Sequence, residues 1–122
     1  MKLIFATHNQ HKADEIRSSF LSRYQVLYLK DLDFNTEIEE TGSSLEENAI
    51  IKASFIFKEF GIPCFADDSG LEIEALGGKP GVFSARFAGE KATFKDNCNL
   101  VLAKLKDSKE RTAVFRTVFC LI

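Results

Sequence analysis

Thr7, Asn9 and Lys12 form a T-x-N-x-x-K pattern that follows a short apolar run over residues 2–6. If a helix starts there, its first turn presents unbonded backbone N–H groups and the positive end of its dipole, and Lys12 adds a full charge. Threonine and asparagine side chains can donate hydrogen bonds from the same loop, so the set suits a phosphate group. A Walker loop would need G-x-x-x-x-G-K-[ST], which this is not. Helix caps and solvent-facing lysines produce the same residues, so the pattern alone is weak.

A second group is Glu40-Thr41-Gly42, ahead of a helical stretch that carries Asn48 and Lys52 one turn apart. Lys52 lies at the edge of the apolar stripe, where a snorkelling lysine would look the same. A third is "FADDSG", residues 65–70, which sets Asp67 and Asp68 at the end of an apolar run. Buried carboxylates are costly unless paired, hydrogen-bonded or bound to metal. Neighbouring strand residues point to opposite faces, so the two acids cannot aim the same way while the strand stays regular. Asp-Ser-Gly also reads as a turn, with Gly70 allowing a bend. The fourth is "LGGKPGVFSARFAGE", residues 76–90, a shaped loop in which Arg86 either meets an anion or, the reading favoured here, pairs with an acid as structure. Together the groups place lysines and a helix N-terminus for phosphate, and Glu40 with the Asp pair for a divalent metal. Hard carboxylate oxygens fit Mg²⁺, which takes a few carboxylates, waters and substrate phosphates.

Hydrophobic spacing gives the elements that must position these residues: strand, helix, strand, helix, strand pair, loop, helix, strand. Ala13, Ile16, Phe20 and Tyr24 share one helical face, with Asn9 as N-cap. "QVLYLK", residues 25–30, is a strand. Ser44 and Glu47 make a capping box for a helix whose stripe is Leu45, Ala49, Ala53, Ile56 and Phe60; Gly61 is its C′ residue. The stretch from Pro63 reads as a strand, a bend at Ser69-Gly70 and a second strand. Thr93 and Asp96 cap a third helix, with Phe94, Cys98, Val101 and Leu105 facing inward. Residues 112–122 are β-branched and aromatic and form a last strand. The expectation is an α/β fold, a mixed twisted sheet flanked by helices, with residues 1–122 as one domain.

At 122 residues the chain supports one core, not two comfortable domains. Its net charge of −2 argues against nucleic acid or an acidic membrane as partner. The first residues are too short an apolar run for a signal peptide, and no stretch approaches membrane-spanning length. Cys64, Cys98 and Cys120 lie far apart without a C-x-x-C pattern, which suits reduced thiols in a cytoplasmic protein. His8 and His11 lack clustered partners for zinc.

"FATHNQHKADEI", "EETGSSLEENAIIKA" and "ADDSGLEIEALGGKPGVFSARFAGE" occur in order and at matching spacing. Together they resemble the inosine/xanthosine triphosphate pyrophosphatases (the dITP/XTP pyrophosphatase, Ham1-like family), enzymes that remove aberrant purine nucleotides. The resemblance implies a two-lobed α/β fold, usually dimeric, that hydrolyses inosine, xanthosine or deoxy triphosphates to monophosphate and pyrophosphate with Mg²⁺. It makes Thr7, His8, Asn9, Gln10, His11 and Lys12 the phosphate-binding segment, with Lys52 as a further phosphate contact and Ser69 as a substrate contact. Glu40 and Asp68 become metal ligands, Asp68 the proton acceptor, and Asp67 a support for the metal site. Lys12 and Lys52 would neutralise charge on the departing pyrophosphate.

The family continues with a "GFGYDP"-like segment and a Ser-His-Arg, and neither is found here. The chain stops on Phe-Cys-Leu-Ile, inside the last strand, so it is expected to be the N-terminal portion of a longer protein, with the C-terminal part of the fold missing and little or no activity of its own. A genuine terminal strand tied into the sheet is the alternative. Two rival functions stay open: a non-catalytic phosphate-binding fragment, and a metal-dependent phosphohydrolase that uses Asp67 or Asp68 as nucleophile. The second would need a D-x-D after the first strand, where Thr7-His8-Asn9 stands instead.

Overall fold

The computed structural model describes residues 1–19 and 23–122. The chain divides into two compact units, one of Met1–Gly42, Glu46–Asp67 and Phe119–Ile122, the other of Ser43–Leu45 and Asp68–Val118.

In the first unit, β1 (Lys2–Phe5) runs parallel to β2 (Gln25–Tyr28) on one side and to the start of β3 (Cys64–Ile73) on the other. Alternation along β1 sorts the core into two layers. Ile4 and Ala6 pack with Leu29, Cys64, Ala66 and with Ala53 and Ile56 of α2 (Leu45–Phe60). Phe5 turns the other way, to Tyr28, Phe65 and Ala13 of α1 (Gln10–Ser19), and its ring stacks on Phe65 at 4.5 Å. One helix therefore covers each face of this parallel sheet. Leu45, Ala49, Ala53 and Ile56 of the expected α2 stripe are all buried, and Phe60 partly so. Gly61 adopts the left-handed φ of 64° and donates to the Phe57 carbonyl, which ends the helix as its position suggests. Tyr24, placed on the α1 face by its spacing, lies outside the helix and is exposed, and Phe20 is outside the described residues. The end of the chain is tied to β3, since the Cys64 and Ile122 amides each donate to the other's carbonyl. The buried Cys64 thiol donates to the Ala53 carbonyl, and burial, with Cys120 near it, pushes the thiol up from its ordinary value.

In the second unit, β3 continues without a break. It pairs antiparallel with the short β4 (Lys79–Pro80), so the sheet is mixed and the α/β expectation holds. The bend expected at Ser69-Gly70 is absent. Gly70 is needed for a different reason: a Cβ there would lie 2.3 Å from the Gly81 carbonyl oxygen. β5 (Ala113–Leu121) lies beside β3, with Arg116 Nη2 3.0 Å from a Glu72 carboxylate oxygen and the Thr117 and Ser69 hydroxyls 2.8 Å apart. The Arg86 guanidinium sits 5.1 Å over the Phe83 ring, a contact with an aromatic face in place of the acid expected for it. α3 (Phe94–Lys104) departs from its pattern: Phe94 is 85% exposed and Cys98 is exposed, leaving Leu105 as the buried member of that face.

The capping box of α3 is formed. Asp96 N donates to Thr93 Oγ1 at 3.1 Å, and Thr93 N donates to the Asp96 carboxylate at 2.8 Å. The Thr93 amide, then its hydroxyl, hold the Asp96 carboxyl below the ordinary range. A lowered folded-state value means that the cap is fully effective above the unfolded value of about 3.9 and is lost as pH falls through the folded one. Acid titration followed by amide exchange should therefore open the first turn of α3 below about pH 4, before the β1 amides. Simultaneous loss of both would count against it.

Candidate active site

The apolar β1 ends at a tight turn in which the Thr7 amide donates to the Phe5 carbonyl. Thr7 Oγ1 accepts from the Asn9 amide at 3.0 Å, and Asn9 Oδ1 accepts from the Lys12 amide at 3.2 Å, so Asn9 caps α1 as its position suggests. With both oxygens occupied by backbone, each side chain still has an N–H or O–H to donate outward. Lys12 follows one turn into α1, and its ammonium donates to Asp67 at 2.6 Å. The pairing follows from the sheet. Asp67 shares a β3 face with Phe65, and Phe65 packs on Ala13, the residue after Lys12. The carboxylate is buried, and its Oδ1 has no hydrogen-bond partner among the described residues.

His8 and Gln10 point elsewhere. His8 Nε2 lies 3.0 Å from the Thr36 carbonyl with its ring stacked on Phe34, and Gln10 donates to Asp14 along the helix. Both contribute, with Thr7, Asn9, Tyr28 and Lys30 among others, to a cleft of about 240 Å³ on the β2 side of the turn. Lys12 and Asp67 lie outside that lining. His11 is exposed.

The second lysine repeats the arrangement. Lys52 reaches Glu40 at 3.1 Å, and the Gly42 amide donates to Asn48 of the same helix at 2.7 Å. In the other unit, Asp68 emerges on the face of β3 opposite to Asp67 and is buried, and Ser69 bonds to Thr117. Each lysine nominated for phosphate is thus held by an acid nominated for metal: Lys12 with Asp67, Lys52 with Glu40. Among the described residues no three His, Cys, Asp or Glu side chains gather into a metal cage. Magnesium seldom uses one.

The Ham1 family model matches residues 3–122. The chain belongs to the Ham1 family. A dITP/XTP pyrophosphatase of Christiangramia forsetii is 47% identical over 121 residues, which are 99% of this chain and 64% of that protein. The dITP/XTP pyrophosphatase of Bacillus subtilis is 47% identical over 116 residues, 93% of this chain and 59% of that one. Among solved structures, the Ham1 protein of Staphylococcus aureus superposes with a TM-score of 0.91 at 38% identity, over all of this chain and 63% of its own. The chain therefore spans 59–64% of the length of these Ham1 relatives.

Two features of this Ham1 site escaped the sequence. One is the Lys12–Asp67 pair, which the face-sharing of Phe65 and Asp67 could have suggested had the α1 packing been known. The other is the burial of Asn48, which its spacing set one turn before Lys52 without marking it as a core residue.

Proposed function

We propose that this chain carries the triphosphate-handling portion of a Mg²⁺-dependent pyrophosphohydrolase that converts inosine and xanthosine triphosphates, or their deoxy forms, to monophosphate and pyrophosphate. The supporting observation is the set of paired charges: two ammonium groups from two helices, each against a carboxylate that the family pattern assigns to metal binding. Relatives named dITP/XTP pyrophosphatase supply the substrate class.

Magnesium fits the donors present. Asp67 Oδ1 is a buried acceptor without a donor among the described residues, a state that costs about 1–3 kcal/mol and that a hard cation would relieve. Glu40, Asp67 and Asp68 are the candidate ligands. A bound Mg²⁺ supplies charge neutralisation and makes a coordinated water more acidic. The chain's own residues do the rest. Asp68 accepts the proton of the attacking water, and Ser69 contacts the substrate. Thr7 and Asn9 donate to phosphate oxygens from a turn that their own backbone bonds hold rigid, and His8, Gln10 and His11 complete the phosphate-binding segment. Lys12 and Lys52 exchange their carboxylates for the triphosphate and offset the charge that builds on pyrophosphate as the anhydride breaks. A cytoplasmic homodimer is the setting the family resemblance implies. No helix among the described residues is long and apolar enough to cross a membrane.

Product identity tests the reading whatever the rate. Inosine triphosphate incubated with Mg²⁺ and followed by ³¹P NMR should give monophosphate and pyrophosphate in equal amounts, with no phosphoenzyme trapped by acid quench. Diphosphate plus orthophosphate would overturn it. Binding of inorganic tripolyphosphate without any turnover would mark a phosphate-binding module instead.

A further inference from the structure

Asn48 is fully buried, yet it sits on α2 among residues whose burial needs no polar atom. Its Oδ1 accepts from the Gly42 amide at 2.7 Å, while its Nδ2 is buried with no hydrogen-bond partner among the described residues. An unpartnered buried donor lowers stability, and an apolar residue of similar size would avoid that loss. The unpartnered donor offsets what the bond to Gly42 contributes, so net stability is a weak reason for an amide at this position. The contact it makes is close-fitting: a Cβ on Gly42 would lie 2.6 Å from Asn48 Oδ1 and 2.6 Å from Glu47 Cβ, so the loop approaches α2 as nearly as backbone can. Glu40 is two residues upstream, and its carboxylate meets Lys52, one helical turn beyond Asn48. Successive turns of α2 thus hold the segment twice, once by backbone through Asn48 and once by side chain through Lys52. An ion pair leaves a flexible carboxylate several positions. The backbone tie removes that freedom at its root.

We propose that Asn48 is a positioning residue which, through Gly42, fixes Glu40 for metal binding. This rests on the metal role given to Glu40 above. In Asn48→Ala, amide exchange at Gly42 should accelerate about tenfold, the scale of one hydrogen bond, while the Ile4 and Ala6 amides of the sheet keep their wild-type rates. Mn²⁺ affinity, read by electron paramagnetic resonance, should fall by about tenfold or more on the same scale. Asn48→Asp keeps an acceptor at the same point and should keep Gly42 protected, which preserves the test if the alanine variant folds poorly. Unchanged Gly42 exchange in Asn48→Ala overturns the proposal. So does faster exchange with undiminished Mn²⁺ affinity, which would make the amide merely structural. Should the wild-type chain take up no Mn²⁺, the metal role of Glu40 falls by itself. The ¹³C shift of the Glu40 carboxyl then decides: movement in Asn48→Ala supports positioning, and a fixed shift overturns it.

Discussion

Lys12→Met is expected to lower stability by about 2–3 kcal/mol and to weaken tripolyphosphate binding more than any other single lysine change. Removing one partner of a buried ion pair costs about 3–5 kcal/mol, because the remaining charge is left without compensation. Asp67 meets that condition: its side chain is 5% exposed, one oxygen lacks a partner among the described residues, and the other would lose the Lys12 ammonium. Lys12 itself is 35% exposed, so water can follow the deleted ammonium toward the carboxylate, and the estimate is reduced accordingly. Double replacement separates charge from packing. Lys12→Met with Asp67→Leu removes both ions and should recover most of the loss in urea unfolding, since apolar replacement of a whole buried pair is often neutral. It should recover none of the tripolyphosphate affinity. Additive stability losses in the double variant would mean that the 2.6 Å contact contributes little.

Features set by local spacing could be read from the sequence. The α2 stripe from Leu45 to Ile56 is buried as its period requires, and Gly61, Asn9 and Thr93 end or begin helices through bonds made within a few residues of themselves. Such signals depend on no distant partner. The turn reading of Asp-Ser-Gly failed for the opposite reason. Pairing of β3 with β4 and β5 outweighs a local preference to bend, and Gly70 serves the approach of a carbonyl eleven residues away in sequence. α3 shows a period without the burial it implies: a helical pattern gives a face, not what packs on it. At the site, residue types were legible but partners were not. Lys12 meets Asp67 only because β1 and β3 run parallel in a register that pairs Phe5 with Phe65 and because α1 lies on that face. The sequence carries both charges and no statement of that register. Asn48 was harder still, since one buried amide within a polar helical turn leaves no periodic trace.

Gly70→Ala is expected to be the most damaging small change in the second unit, costing about 3 kcal/mol or more and lowering the melting temperature by about 10 °C. The added methyl would stand 2.3 Å from the Gly81 carbonyl oxygen and 2.8 Å from its carbon, far inside van der Waals contact. Overlap with a flexible side chain could be relieved by a rotamer change; this one is with backbone. That carbonyl is also held in place. Ser84 Oγ donates to it at 2.6 Å and itself accepts from the Leu71 amide at 2.9 Å, so retreat would break a bridge back to the same strand. Gly81 has a φ of 52°, in the left-handed region that favours glycine, which further limits how the loop could adjust. Either β3 moves or the loop does. If the strand yields, the displacement falls on Ser69 and Asp68, the residues immediately before it, and the proposed proton acceptor loses its setting even in molecules that remain folded. Amide exchange can separate the two routes: faster exchange at Leu71 alone locates the strain in the loop, and faster exchange from Asp68 onward locates it in the strand. A melting temperature within about 2 °C of wild type would show that the approach of Gly81 to β3 is looser than its distances state.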